Sequence, residues 1–65
     1  MKIDKEKVLI VLSRKNKTLS WLTDKVGYSR VSIYSLFNAK NNTPKTVCKL
    51  AGALGVDVEE ILVKK

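Results

Sequence analysis

Apolar positions recur every three or four residues along most of the chain, and the interruptions fall at cap-forming residues and glycines. Ile3-Asp4 opens the first segment. Asp4 is an N-cap whose carboxylate can accept an orphan helix N–H, and Ile3 and Val8 have the spacing of a hydrophobic staple. Val8, Val11, Leu12 and Lys15 continue at helical spacing. Leu9 and Ile10 fall outside a narrow stripe, so they either widen the buried face or stay exposed. Arg14, Lys15 and Lys17 put cations at the negative end of this helix.

The stretch from Thr18 to Phe37 reads TLSWLTDKVGYSRVSIYSLF and divides into two short helical patterns at Gly27. Thr18 caps the second helix, whose inward face is Leu19, Leu22 and Val26 with Trp21 beside them. Gly27 ends it, because glycine takes the left-handed conformation cheaply. Ser29 caps the third helix, with Ile33, Leu36 and Phe37 as its stripe. Arg30, Val31, Tyr34 and Ser35 fall away from that stripe and have no evident core role. Asn38 to Asn42 is a polar loop. Thr43-Pro44 restarts a helix with proline at its first position, and Val47, Cys48, Leu50, Ala51 and Leu54 are its apolar face. After Gly55, Asp57-Val58-Glu59-Glu60 has capping-box spacing and opens a fifth helix with Ile61 and Leu62. The expectation is an all-α, compact five-helix fold in a single domain, 1–65.

Composition removes several function classes. The chain has no histidine, which takes away most zinc sites and nearly all His-based acid–base chemistry. No Gly-rich phosphate loop is present, and Cys48 stands alone, expected as a small buried hydrophobe. No metal, no cofactor and no enzymatic activity are expected. The longest apolar run, Val8 to Leu12, falls far short of the ~18 residues of a membrane span. It is also too short for a signal peptide, so a cytoplasmic location and no membrane partner are expected.

The net charge of +7 is unevenly placed. Residues 14–49 carry Arg14, Lys15, Lys17, Lys25, Arg30, Lys40, Lys45 and Lys49 against Asp24 alone, a net of +7, while residues 1–13 and 50–65 carry +1 and −1. A positive field around the two central helices favours a polyanion, although a solvated basic surface has the same composition.

A three- to four-residue turn containing glycine between two short helices is the spacing of a helix-turn-helix. From Thr18 to Leu62 the chain resembles the lambda-repressor/Cro-type helix-turn-helix family of phage repressors and small bacterial regulators. The residues that carry the resemblance are Leu22, Lys25-Val26-Gly27, Tyr28-Ser29, Ser32-Ile33, Leu36, Pro44, Leu50-Ala51, Ala53-Leu54-Gly55-Val56 and Glu60-Ile61-Leu62. The resemblance implies a lambda-repressor-like domain with the helix-turn-helix at helices 2 and 3. It also implies a transcriptional regulator that binds double-stranded operator DNA, usually as a homodimer.

By position, Arg30, Val31, Ser32, Tyr34 and Ser35 then face the major groove. Arg30 suits guanine O6/N7 and Val31 a thymine methyl. Ser32 and Ser35 are short enough for a phosphate or a base edge, and Tyr34 suits backbone or sugar. Lys40, Asn41 and Asn42 fall against phosphate after helix 3, with Lys17 and Lys25 as further candidates. Each has a plainer alternative: Arg30 as a solvated charge, Ser29 and Ser32 as helix-end groups, Tyr34 and Trp21 as packing.

The chain also departs from the family. Leu19 stands where many members have a Gln that braces the recognition helix. Leu12 and Phe37 stand where many have an Arg–Glu pair, and Ala39 replaces a Gly. One apolar replacement alone would strand a charge at ~3–5 kcal/mol if buried, whereas the double exchange is neutral or better and predicts a Leu12–Phe37 contact. A face with one long polar side chain, beside Val31 and Tyr34, also suits a second role. Small phage regulators of this size act as antirepressors, or modulators of repression, that bind another helix-turn-helix repressor and mask its DNA surface.

Overall fold

The computed structural model describes residues 1–63; Lys64 and Lys65 lie outside the described residues. The described chain is all-α apart from one isolated bridge. Its helices are α1 (Lys5–Arg14), α2 (Leu19–Val26), α3 (Arg30–Asn38) and α4 (Pro44–Leu54), followed by a single 3-10 turn at Val58–Glu60.

The four α-helices begin at the expected caps. The Asp4 carboxylate accepts from the Glu6 and Lys7 N–H groups, Thr18 from Trp21, Ser29 from Ser32 and Thr43 from Thr46. Ile3 and Val8, the staple pair, are both buried. Gly27 and Gly55 adopt φ of 77° and 72° after α2 and α4, and the following N–H groups of Tyr28 and Val56 turn back to Thr23 O and Ala51 O.

The fifth helix is not formed as expected. Asp57 makes no side-chain cap bond, and the Glu60 carboxylate pairs with Arg14 at 3.0 Å rather than closing a capping box. The backbone beyond the turn is instead committed to the N-terminal segment. Ile3 bridges Leu62 in antiparallel fashion, Asp4 N donates to Ile61 O at 2.7 Å, and Val63 N donates to Lys2 O at 2.9 Å. Groups paired across to residues 2–4 cannot also propagate a helix.

α2 packs against α4 and α3, and α4 against the 3-10 turn. The buried cluster joins every element: Ile3, Val8 and Leu12 meet Leu22, Ile33, Phe37, Leu50, Leu54 and Ile61. Leu12 and Phe37 both belong to it, and both are almost fully buried. An unpaired charge at either place would therefore lack water. Cys48 is a correction: its side chain is exposed, because the buried residues of α4 are Val47, Leu50, Ala51 and Leu54, and position 48 lies one helical step outside that stripe. Leu9 and Ile10 remain exposed on α1.

Candidate nucleic-acid interface

The connection between α2 and α3 is three residues long, Gly27 to Ser29. Arg30, the first residue of α3, donates a hydrogen bond from Nη2 to the Ser20 hydroxyl in the first turn of α2. Both helix starts are capped by neutral hydroxyls, Thr18 and Ser29, and neither has a carboxylate in its first turn. The Arg30 side chain thus links the first turns of the two helices, neither of which holds a carboxylate. α1 is the opposite case, with Asp4 and Glu6 at its start.

Along the outer side of α3, Arg30, Val31, Ser32, Tyr34 and Ser35 are all exposed. Val31 is the most exposed large apolar residue of the described chain, at 77%. Ser32 is the least free of the five. Its N–H donates to Ser29 Oγ at 3.2 Å, and its hydroxyl accepts from the same atom at 3.1 Å, so the helix end uses it. The Tyr34 ring stands edge-on to Phe37, 6.3 Å between centroids, and Lys5 lies 5.6 Å from its own centroid. Tyr34 therefore joins the start of α1 to the outer face of α3.

The two lysines expected near phosphate share one aromatic neighbour. Lys17 and Lys25 lie 5.3 and 5.8 Å from the centroid of the half-buried Trp21 ring. Trp21 and Lys25 stand one turn apart on α2, and Lys17 reaches the ring from just before the Thr18 cap. Trp21 packs against the core rather than standing free, and its ring draws in both ammonium groups. On the other side of the turn, Lys49 of α4 lies 4.7 Å from the Tyr28 centroid.

Lys40 and Asn41 are exposed in the loop after α3, as a phosphate contact requires. Asn42 is a correction. It is only 7% exposed, and its amide is fully occupied inside the molecule: Oδ1 accepts from Ile3 N at 2.9 Å and Nδ2 donates to Leu36 O at 3.0 Å. A buried amide with both ends bonded cannot reach a phosphate.

The site thus comprises Arg30, Val31, Tyr34 and Ser35 on α3, Lys40 and Asn41 in the loop after it, and Lys17 and Lys25 about the Trp21 ring. Sequence reasoning missed Ser20 as the partner of Arg30, Lys5 beside Tyr34 and Lys49 beside Tyr28. The last two pairs span 29 and 21 positions and have no local signal. The Trp21–Lys25 pair did have one, in its i, i+4 spacing. Among the described residues no three His, Cys, Asp or Glu side chains gather where they could hold a metal ion, and no helix is long and apolar enough to cross a membrane. Compared with known families, curated proteins and solved structures, the chain matches none of them.

Proposed function

We propose that the chain is a small helix-turn-helix transcriptional regulator of the lambda-repressor/Cro type, with α2, the Gly27–Ser29 turn and α3 as the motif, and that it binds double-stranded operator DNA through α3. The observation that carries this reading is the Arg30–Ser20 hydrogen bond, which links the first turns of the two helices. A phosphate laid across that junction faces two positive dipole ends and a guanidinium at once. Arg30 reads guanine or holds the phosphate there, Val31 meets a thymine methyl, and Ser35 and Tyr34 line the groove. Lys17, Lys25, Lys40 and Asn41 supply the flanking backbone contacts. Such a regulator works in the cytoplasm.

The test is selection of a binding site from a random duplex library, followed by titration at several salt concentrations. A specific site whose affinity falls linearly in log–log with salt supports the reading. Failure to enrich any sequence at moderate salt refutes it.

A second reading is favoured by the 77% exposure of Val31 at the first turn of α3, beside Tyr34 at 40%. Those two side chains give α3 an apolar patch and leave it one long polar group. Such a patch suits a protein surface. The partner in that case is a helix-turn-helix repressor whose DNA-contacting face is covered by this chain, with the apolar patch of α3 as the contact. A stoichiometric complex in size-exclusion chromatography with a repressor encoded alongside tests it, and failure to co-elute counts against it.

A further inference from the structure

The C-terminal end of α3 is built differently from those of α2 and α4. Those two close with glycines in the left-handed conformation, which returns following N–H groups to the last carbonyls. After α3 stands Ala39, with φ −66° and ψ 141°, so the chain leaves in an extended direction. Only Ser35 O is served locally, by Ala39 N at 3.0 Å. The carbonyls of Leu36 and Phe37 would be orphaned by this exit.

They are served from elsewhere. Asn42 Nδ2 donates to Leu36 O at 3.0 Å, and the Lys2 ammonium donates to both Phe37 O and Ala39 O. Asn42 Oδ1 in turn holds Ile3 N, and Asn42 N donates to Met1 O. Lys2 also accepts from Val63 N through its own carbonyl. The half-buried Lys2 charge sits at the negative end of the α3 dipole, which strengthens both of its bonds. The end of α3 is therefore fixed by side chains 35 and six positions away, not by its own sequence.

We propose that Lys2 and Asn42 are positioning residues for α3: a clasp that replaces a glycine cap and sets where the outward face of Val31, Tyr34 and Ser35 lies. The consequence for binding rests on the reading of α3 as the presented helix; the clasp itself does not. Lys2 acts through α3 and does not touch the ligand.

Amide hydrogen exchange on the intact chain, with DNA binding measured in parallel, tests this. Lys2→Met keeps the aliphatic stem and removes the donors. Exchange at the Asn38 and Ala39 amides is expected to rise about tenfold or more, with Val26 and Leu54 unchanged, and Lys2→Arg restores protection. Asn42→Ala is expected to act in the same direction, and Lys2→Met keeps the proposal testable if Asn42→Ala fails to fold. Affinity for the selected duplex falls in Lys2→Met while the slope of log affinity against log salt stays the same. If Lys2 were a phosphate contact, the slope would drop by about one and exchange at the end of α3 would not move. That result, or unchanged exchange in Lys2→Met, overturns the clasp. Absence of duplex binding by the wild-type chain refutes the DNA reading and leaves the exchange result to decide the clasp alone.

Discussion

Arg30 and Ser20 lie ten positions apart, in the first turns of successive helices, and are joined by one hydrogen bond. The bond ties one arm of an exposed guanidinium to the first turn of α2. Arg30→Ala is expected to weaken duplex binding by ~1–3 kcal/mol, since it removes a bidentate reader. Thermal stability should stay within about 0.5 kcal/mol, because both residues are at the surface. Fluorescence anisotropy and thermal melts measure the two effects. A melt that collapses with the affinity would mean the bond serves folding instead.

Val31 separates the two proposed partners by sign. Val31→Lys adds a charge at the most exposed apolar position of α3. Against DNA it is expected to raise non-specific affinity and steepen the salt slope by about one, while preference for the selected site falls with the lost thymine contact. Against an apolar protein surface it buries an unpaired charge and should weaken the complex by several-fold or more. Parallel titrations with duplex and with repressor give the sign directly.

The glycines make a paired test of backbone against packing. A Cβ at Gly27 would meet nothing within 4 Å, but its φ is 77°, so Gly27→Ala is expected to cost ~1–2 kcal/mol from conformation alone. Gly52 also has free space and lies inside α4 with no positive φ, so Gly52→Ala is expected to stabilise by ~0.5–1 kcal/mol. Chemical denaturation should show opposite shifts of midpoint with similar slopes.

Leu12 and Phe37, which stand where the resembling family often carries an ion pair, are both in the buried cluster. Leu12→Ala and Phe37→Ala are each expected to destabilise by ~2–5 kcal/mol. If the two side chains touch, the double mutant departs from additivity by ~0.5–3 kcal/mol. A cycle that closes to zero would place the cost in separate parts of the core.

Where physics is local, the chain was readable. Each N-cap from Asp4 to Thr43 is a short polar side chain with its donor two or three residues on, so pattern and structure agree. The same logic failed at Asp57, because Glu60 found Arg14, 46 residues away, and residues 61–63 paired with residues 2–4. Asn42 failed for a related reason. In sequence it is one polar residue in a polar loop, and only the arrival of Ile3 and the end of α3 makes it a buried bridge. Cys48 shows the limit of a hydrophobic stripe read without its width: one helical step separates the core from water. In the candidate site, Arg30, Val31, Tyr34 and Ser35 were legible because they were left over after the core was assigned. Their neighbours Lys5 and Ser20 were not, since both contacts exist only once helices dock.

The bridge between Ile3 and Leu62 has a kinetic meaning. It closes a loop spanning nearly the whole described chain, at an entropic cost that grows only as the logarithm of loop length but must be met before any of its contacts form. The contacts among α2, α3 and α4 are nearer in sequence and can assemble first. The pairing of Lys2 and Asp4 with residues 61–63 has the greatest sequence separation of all and is expected to form after them.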